Sequence, residues 1–319
     1  MRFGKVGAVI AAASKRDAEP LFKVGSIPNV RRIILTLQQV SVFPIVIVTG
    51  AEEFEVIHQV SSLGVIFLPN EERERPELFS SVRLGLSFLQ GKCDQVVFTP
   101  VNAPMFSAQT LRALLDAKAE VAVPTFKGHG GHPIVISTEV IPTILAYKGG
   151  EGLRGAVSTS GLARARVPVS DAGILMSVHD EAQLRAQLRE HNDSLLAPSV
   201  QVNIGKESPF LNSRLKLLLF LIEDMHSVRQ ACLHCGLSPQ KAWDMINRLE
   251  DEVGFDVVVR RHGGSRGGRT TLTEQGLRLA FAFQEYEEDI HSFAQRRFSE
   301  LFLVPDAVNL LEEEPSSES

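Results

Sequence analysis

Val6-Gly7-Ala8-Val9-Ile10-Ala11, running straight into Ala12-Ala13-Ser14-Lys15-Arg16, decides the fold of this chain. Six apolar or small residues without alternation predict a strand buried on both faces. The switch to small and charged residues predicts a loop at its carboxyl end. Four more runs read alike, at 45–49, 65–68, 95–99 and 121–124, each apolar and each closing at Gly, Pro, Asn or another small residue. Helical patterns lie between them. Val30, Ile33, Ile34 and Leu37 repeat at i, i+3, i+4, i+7; Val82, Leu84, Leu86 and Leu89 follow Ser80; Leu111, Leu114 and Leu115 mark a third helix. Strand–helix alternation predicts an α/β, Rossmann-like layer with a parallel sheet covered on both faces. Ligands of such sheets sit beyond the carboxyl ends of the strands, which points to the loops 12–23, 50–53, 69–81 and 100–106.

The composition agrees. A chain of 319 residues has room for about two domains. With 44% hydrophobic and 22% charged residues it is not a mainly disordered, collagen-like or coiled-coil chain. No apolar run approaches the ~18–20 residues of a membrane span. The start, 1–14, lacks a separate charged region and a cleavage site, so it reads as a strand and not as a signal peptide. Three Cys give no disulfide framework, so a reducing cytoplasm is expected. Residues 1–205 carry 20 Lys and Arg against 19 Asp and Glu, and 206–305 carry 13 against 14. The net charge of −5 therefore sits in the tail, with Asp306, Glu312, Glu313, Glu314 and Glu318. Such an acidic, Ser-rich end is expected to be disordered.

After about residue 197 the pattern changes. A Pro-, Ser- and Asn-containing stretch reads as linker. Leu215, Leu218, Leu219 and Ile222 mark a helix, a second runs from about Ser227 to Cys235, and Gly236 makes a turn. Ser238 is placed as an N-cap with Pro239 at N1 of a third helix, whose apolar side carries Ala242, Trp243, Ile246 and Leu249. Two helices joined by a short Gly-containing turn predict a helix-turn-helix. Residues 257–273 follow as strand, Gly-rich hairpin and strand, with Arg260, Arg261, Arg266 and Arg269 and no acid. That is the pattern of a winged helix with a basic wing, suited to phosphate and minor-groove contact. A last helix from Glu274 to about residue 303 carries Leu277, Phe281, Tyr286, Ile290 and Phe293 on a rough stripe. The expected domains are thus 1–195, a linker at 196–211, a winged unit at 212–303 and a tail at 304–319. Cys232 and Cys235 with His234 form half a metal site at most, since a structural zinc needs four ligands; they read as core residues.

The first half offers an ordered set of motifs: Ala11-Ala12-Ala13-Ser14-Lys15-Arg16, Thr99-Pro100-Val101-Asn102-Ala103-Pro104, Gly128-His129-Gly130-Gly131-His132-Pro133, Gly149-Gly150-Glu151-Gly152-Leu153-Arg154-Gly155, and Asp171-Ala172-Gly173 through Val178-His179-Asp180-Glu181. Over residues 4–190 this set resembles the MobA/MocA-like nucleotidyltransferases, with Gly131-His132-Pro133 leaning to the cytidylyltransferase branch. The resemblance implies attack of a pterin phosphate on the α-phosphate of CTP or GTP, with pyrophosphate leaving. That chemistry asks for a glycine in the first loop, bases for the triphosphate, and two Asp for Mg²⁺. The sequence departs from each. Ala12 stands at the glycine, Asp17 and Ala18 at Met-Gly, and Glu19 near the Lys. One metal Asp falls on Asn102 and the other on Ser177 or His179, with Asp180 one residue off. Catalysis is therefore expected to be lost or weakened, while Ala12, Ser14, Arg16, Lys23, Ser80, Ser81, Arg83, Asn102, His132 and Arg154 line a pocket for an anionic ligand.

The last third resembles the N-terminal domain of the molybdate-responsive regulator ModE, a relative of the LysR-type winged helices. The matching residues are Ser238 with Lys241-Ala242-Trp243-Asp244, Ile246-Asn247, Gly263-Gly264 and Gly267-Gly268, then Leu272-Thr273 and Gly276. The resemblance implies that the third helix enters the major groove of double-stranded DNA with Gln240, Lys241, Asp244, Asn247 and Arg248, and that the last helix forms a homodimer. Trp243 reads as core. Three functions follow from the whole. One is a transcription regulator linked to molybdenum cofactor metabolism, whose first domain senses a nucleotide or molybdopterin. Another is an active cytidylyl- or guanylyltransferase that also carries a DNA-binding domain. The third is a scaffold in molybdoenzyme maturation, with neither activity dominant.

Overall fold

A computed structural model describes residues 2–13, 20–71, 77–178, 181–261 and 269–302. The first half is built on one eight-stranded sheet. β1 (Val6–Ala12) is followed by a small antiparallel pair, β2 (Lys23–Val24) and β3 (Ile27–Pro28), and by α1 (Asn29–Gln38). Next come β4 (Ile45–Thr49), α2 (Glu53–Val60), β5 (Ile66–Pro69), α3 (Leu78–Leu89), β6 (Gln95–Pro100) and α4 (Ala108–Asp116). The unit ends with β7 (Val121–Phe126), β8 (His129–Gly130), β9 (Ile134–Ser137), α5 (Ile141–Ala146), α6 (Gly152–Thr159), β10 (Arg164–Pro168) and α7 (Glu181–Ser194).

The sheet runs β10-β7-β9-β6-β1-β4-β5, with β8 paired to β7. Its pairs are parallel from β6 to β5 and between β10 and β7. β9 is antiparallel to both of its neighbours, which corrects the expectation of an all-parallel sheet. The cause is local. β9 returns from β7 through the 127–133 connection, which is too short for a crossover helix, and a short return forces antiparallel pairing. The central strands are buried as their apolar runs require: Val9, Ile10, Val46, Ile47 and Val97 are fully covered. Alternate residues face two separate cores, one against α3 and one against α1 and α4. α3 lies so close to β1 that a Cβ on Gly85 would fall 2.4 Å from Val9. Leu84, expected on the apolar stripe, faces solvent.

The stretch expected as linker holds a hairpin of β11 (Asn203–Gly205) and β12 (Pro209–Asn212). Val202 and Leu211 are buried in the larger core, so this segment packs. Then come α8 (Ser213–Met225), α9 (Val228–Cys235), α10 (Pro239–Val253), the antiparallel pair β13 (Val258–Arg261) and β14 (Arg269–Leu272), and α11 (Glu274–Phe302). Three of these helices start on a side-chain cap, of which Ser238 was expected. Asn212, Ser227 and Ser238 each accept a backbone N–H three residues on, and Gly236 closes α9 at φ +61°. Cys232 and Cys235 are buried, and burial pushes the Cys235 thiol up to about 12, as a core position requires.

The C-terminal helices share the larger core with the sheet unit. Phe3 stacks on Phe220 with ring centres 5.5 Å apart, and Lys216 lies 4.0 Å over Phe43. Lys216 pairs with Glu287 out of solvent, and Gln284 Nε2 donates to the Phe3 carbonyl. α9 covers β5 at one end of the sheet: the His234 Nδ1–H donates to Phe67 O over 2.7 Å. A carbonyl on a sheet's end strand is thereby paired within the chain. α11 also departs from its reading. It buries Gly276, Ala280, Phe283, Gln284 and Glu287, while Phe281, Tyr286 and Phe293 are 40%, 50% and 56% exposed. The polar residues Gln284 and Glu287 go inward because Phe3 O and Lys216 meet them there. Among the described residues no helix is long and apolar enough to cross a membrane.

Candidate functional site

The carboxyl ends of four strands stand in one row. Ala11 pairs with Pro100 and Ala12 with Thr49, Thr49 pairs with Pro69, and Asn70 N donates to Thr49 O over 2.9 Å. Val101 N donates to Ala11 O over 3.0 Å. The register therefore aligns Asn102, Ala12, Gly50 and Asn70 along one edge. Gly50 is required there, because a Cβ would sit 2.9 Å from the Ala13 backbone. The starts of all four loops marked from the sequence converge, as the strand ends dictate.

Asn70 is the residue that sequence reading missed. It is 5% exposed, and its Nδ2 donates to Ser80 Oγ over 2.9 Å and to Ser81 Oγ over 3.2 Å. It ties the end of β5 to the first turn of α3. Its only signal in sequence was a polar residue directly after an apolar run and a proline. Ser80 and Ser81 are thus brought to the row. Lys23, Arg83 and Arg154 are exposed, and their side chains form no hydrogen bond or ion pair with another described residue. Ser14, Arg16, His179 and Arg266 lie outside the described residues, as does the tail 304–319; of Arg261 only the backbone is described.

Asn102 meets its expected partner segment. Val178 N donates to Asn102 O over 3.0 Å, so Asn102 lies against the segment in which the resemblance places the second metal carboxylate. Neither Asn102 nor Ser177 brings a charge. The nearby acid that the fold does supply, Asp171, is already committed. Its Oδ2 accepts from Ser107 N (2.8 Å) and Thr110 Oγ1 (2.7 Å), and its Oδ1 from Gly173 N (2.9 Å). It fastens the 3-10 turn Ala172–Leu175 to the start of α4. Charge-assisted bonds of this kind contribute about 1.5–3 kcal/mol each. Gly173 permits the contact, since a Cβ there would fall 1.9 Å from Met105 O. Among the described residues no three His, Cys, Asp or Glu converge as a metal set. Mg²⁺ relies on carboxylates, so the described donors do not fit it.

His132 sits against the Ala172–Leu175 turn and strand β6. Its N–H donates to Ile174 O over 2.9 Å, its ring meets Phe98 edge-on at 6.0 Å, and burial lowers its pKa to about 4. It is a neutral imidazole whose Nδ1 has no partner among the described residues. Among the described residues the site thus presents amides, hydroxyls and a neutral ring.

The second surface is α10. Gln240, Lys241, Asp244, Asn247 and Arg248 are all exposed. Arg248 is turned aside, with its Nη2 donating to Ser208 Oγ on the β11–β12 hairpin. This departs from its expected place on the reading face. Asn247 Oδ1 accepts from Arg260 Nη2 over 2.8 Å. Trp243 is half-buried at the core edge, and the Arg260 guanidinium lies 4.3 Å from its ring centre.

Comparison with known proteins finds likenesses of two kinds. The family described as "MobA-like NTP transferase domain" matches residues 14–166, so the first half carries a MobA-like nucleotidyltransferase domain. The molybdenum transport protein ModE of Azotobacter vinelandii is 34% identical over 79 residues, which is 25% of this chain and 29% of that protein. The chain therefore spans less than a third of that relative. A nucleotidyl transferase from Methanothermobacter thermautotroptrophicus is 19% identical, covering 60% of this chain and 98% of its own, with a TM-score of 0.49. A manganese complex of Rv0371C from Mycobacterium tuberculosis H37Rv is 17% identical over 58% of this chain and 98% of its own, at 0.47.

Proposed function

We propose that this protein is a DNA-binding transcription regulator linked to molybdenum cofactor metabolism, and that its nucleotidyltransferase-like domain binds a nucleotide or molybdopterin as signal and not as substrate. The observation that carries the reading is the meeting of Asn102 with the 177–178 segment, two positions joined by a backbone bond with no carboxylate at Asn102, Ser177 or Val178 and with Asp171 spent on the fold. Charge neutralisation is the substance of phosphoryl and nucleotidyl transfer, so a site without those acids loses chemistry before it loses affinity. Ser80, held in place by Asn70, and His132 Nδ1 still offer hydrogen bonds to a bound ligand.

The exposed α10 supports the DNA half of the reading, and the ModE likeness agrees with a helix-turn-helix carrying a basic wing. Operators read by such units are near-palindromic because the protein is a dimer. Tyr286 and Phe293, exposed on one side of α11, mark the surface we assign to a second copy of the chain.

The test is turnover. Incubated with Mg²⁺, CTP or GTP and molybdopterin, the protein releases no more than trace pyrophosphate. Rates on the order of 1 per second, ordinary for enzymes, would overturn the sensor reading in favour of an active cytidylyl- or guanylyltransferase.

A further inference from the structure

Arg260 differs from the other bases of the wing, because the fold has already fixed it. Its Nη2 donates to Asn247 Oδ1 over 2.8 Å and lies 3.5 Å from Glu250 Oε2, and its plane lies over Trp243. Glu250 is itself anchored, since its Oε1 accepts Val257 N–H at 2.7 Å and Val258 N–H at 3.0 Å. One carboxylate thus ties α10 to β13 and holds the guanidinium between them. The Arg260 side chain is still 47% exposed, and its other N–H groups donate to no described residue. An arginine usually loses much rotamer freedom on binding; here that loss has occurred in the free protein.

Two consequences follow from the chemistry. First, Arg260 is a poor phosphate anchor. Its charge is balanced by Glu250, so a phosphate contact through it releases little counterion. Second, Asn247 is a poor adenine reader as it stands. That contact needs both amide atoms, and Oδ1 is taken. What remains is a rigid, outward guanidinium beside α10, and two adjacent N–H donors match the O6 and N7 acceptors of guanine.

We infer that Arg260, locked by Asn247, Glu250 and Trp243, reads a guanine in the major groove, and that Asn247 positions it instead of contacting a base. This rests on the DNA-binding reading above and goes beyond it in assigning the reading group and its base.

The full-length protein is used to select sites from a randomised double-stranded DNA library. Arg260→Lys keeps the charge and loses the planar fork. It lowers discrimination at one G·C pair in each half-site by roughly 5- to 150-fold and leaves the salt dependence unchanged. Asn247→Ala relaxes the same pair, whereas Asn247→Asp keeps an acceptor for Arg260 and keeps the guanine preference at uniformly lower affinity. Thermal melting of each variant shows that it is folded. The inference is overturned if Arg260→Lys weakens all duplexes alike, or if Asn247→Ala relaxes a different base pair, since Asn247 is then an independent reader. A wild-type protein that binds no duplex at all overturns the DNA-binding reading itself, and this inference with it.

Discussion

Arg32 is fully buried, and among the described residues no carboxylate pairs with it. Its Nη1 donates to Asn192 Oδ1 at 2.8 Å and meets His191 Nδ1 at 2.9 Å, while Nη2 donates to Val24 O at 2.7 Å. A guanidinium can only donate, so His191 Nδ1 must accept, which makes the ring neutral with its Nε2–H on Phe106 O at 3.2 Å. Burial first, then repulsion from Arg32, lowers His191 to about 4, against weaker raising by Phe106 O and Asp171. A histidine depressed on folding binds protons more readily in the unfolded chain. Its stability contribution is complete above pH ~6.5 and is lost as pH falls toward 4. His191 alone should cost on the order of 2 kcal/mol between pH 7 and pH 5. Urea midpoints at the two pH values measure this, and His191→Gln should narrow the difference; equal differences in both proteins would refute it. None of this network was legible in sequence, because Arg32 and His191 are 159 residues apart and neither stands in a motif. Asn102 was legible, because its place is fixed by strand β6 and the proline that ends it.

Among the elements, the central strands were legible for a simple reason. A strand covered on both faces is apolar throughout, and the five such runs found in sequence became β1, β4, β5, β6 and β7. β10 was not found: Arg164-Ala165-Arg166-Val167-Pro168 lies at the other end of the sheet, half in water, and its weak alternation resembles a loop. The β11–β12 hairpin hid behind Pro, Ser and Asn residues that suit turns and linkers equally. α11 misled because its most aromatic side is not its buried side. The wing offers the element-scale prediction. Arg269 is exposed, and Arg266 is read from sequence alone; the sequence 257–273 holds no acid, and Arg260 alone of the described wing arginines pairs with one, Glu250 on α10. Changing both Arg266 and Arg269 to Gln should weaken binding to every duplex and reduce the slope of log affinity against log salt by about one per lost phosphate contact. An unchanged slope would place the wing off the DNA.

At the scale of the molecule, the two halves read as separate domains in sequence share one continuous core. That could not be foreseen, because contacts such as Phe3 with Phe220 and His234 with Phe67 O join residues far apart in the chain. The arrangement bears directly on the proposed function. β5 carries Phe67 O, which accepts from α9, and three residues later Asn70, which holds Ser80 and Ser81 in the candidate site. α9 in turn runs through Gly236 and Ser238 into α10. A ligand that draws on Asn70, Ser80 or Ser81 therefore acts on the strand against which the helices proposed to bind DNA are seated. It shifts DNA affinity only if it binds one arrangement of that contact better than the other. The most direct measurement is the equilibrium affinity of the full-length protein for a duplex selected from a random library, followed by fluorescence anisotropy with and without saturating CTP, GTP or molybdopterin. The account predicts that at least one of these changes the affinity about fivefold or more, the ordinary range of coupling between two sites. Identical affinity in the presence and absence of all three, or no binding to DNA, would contradict it.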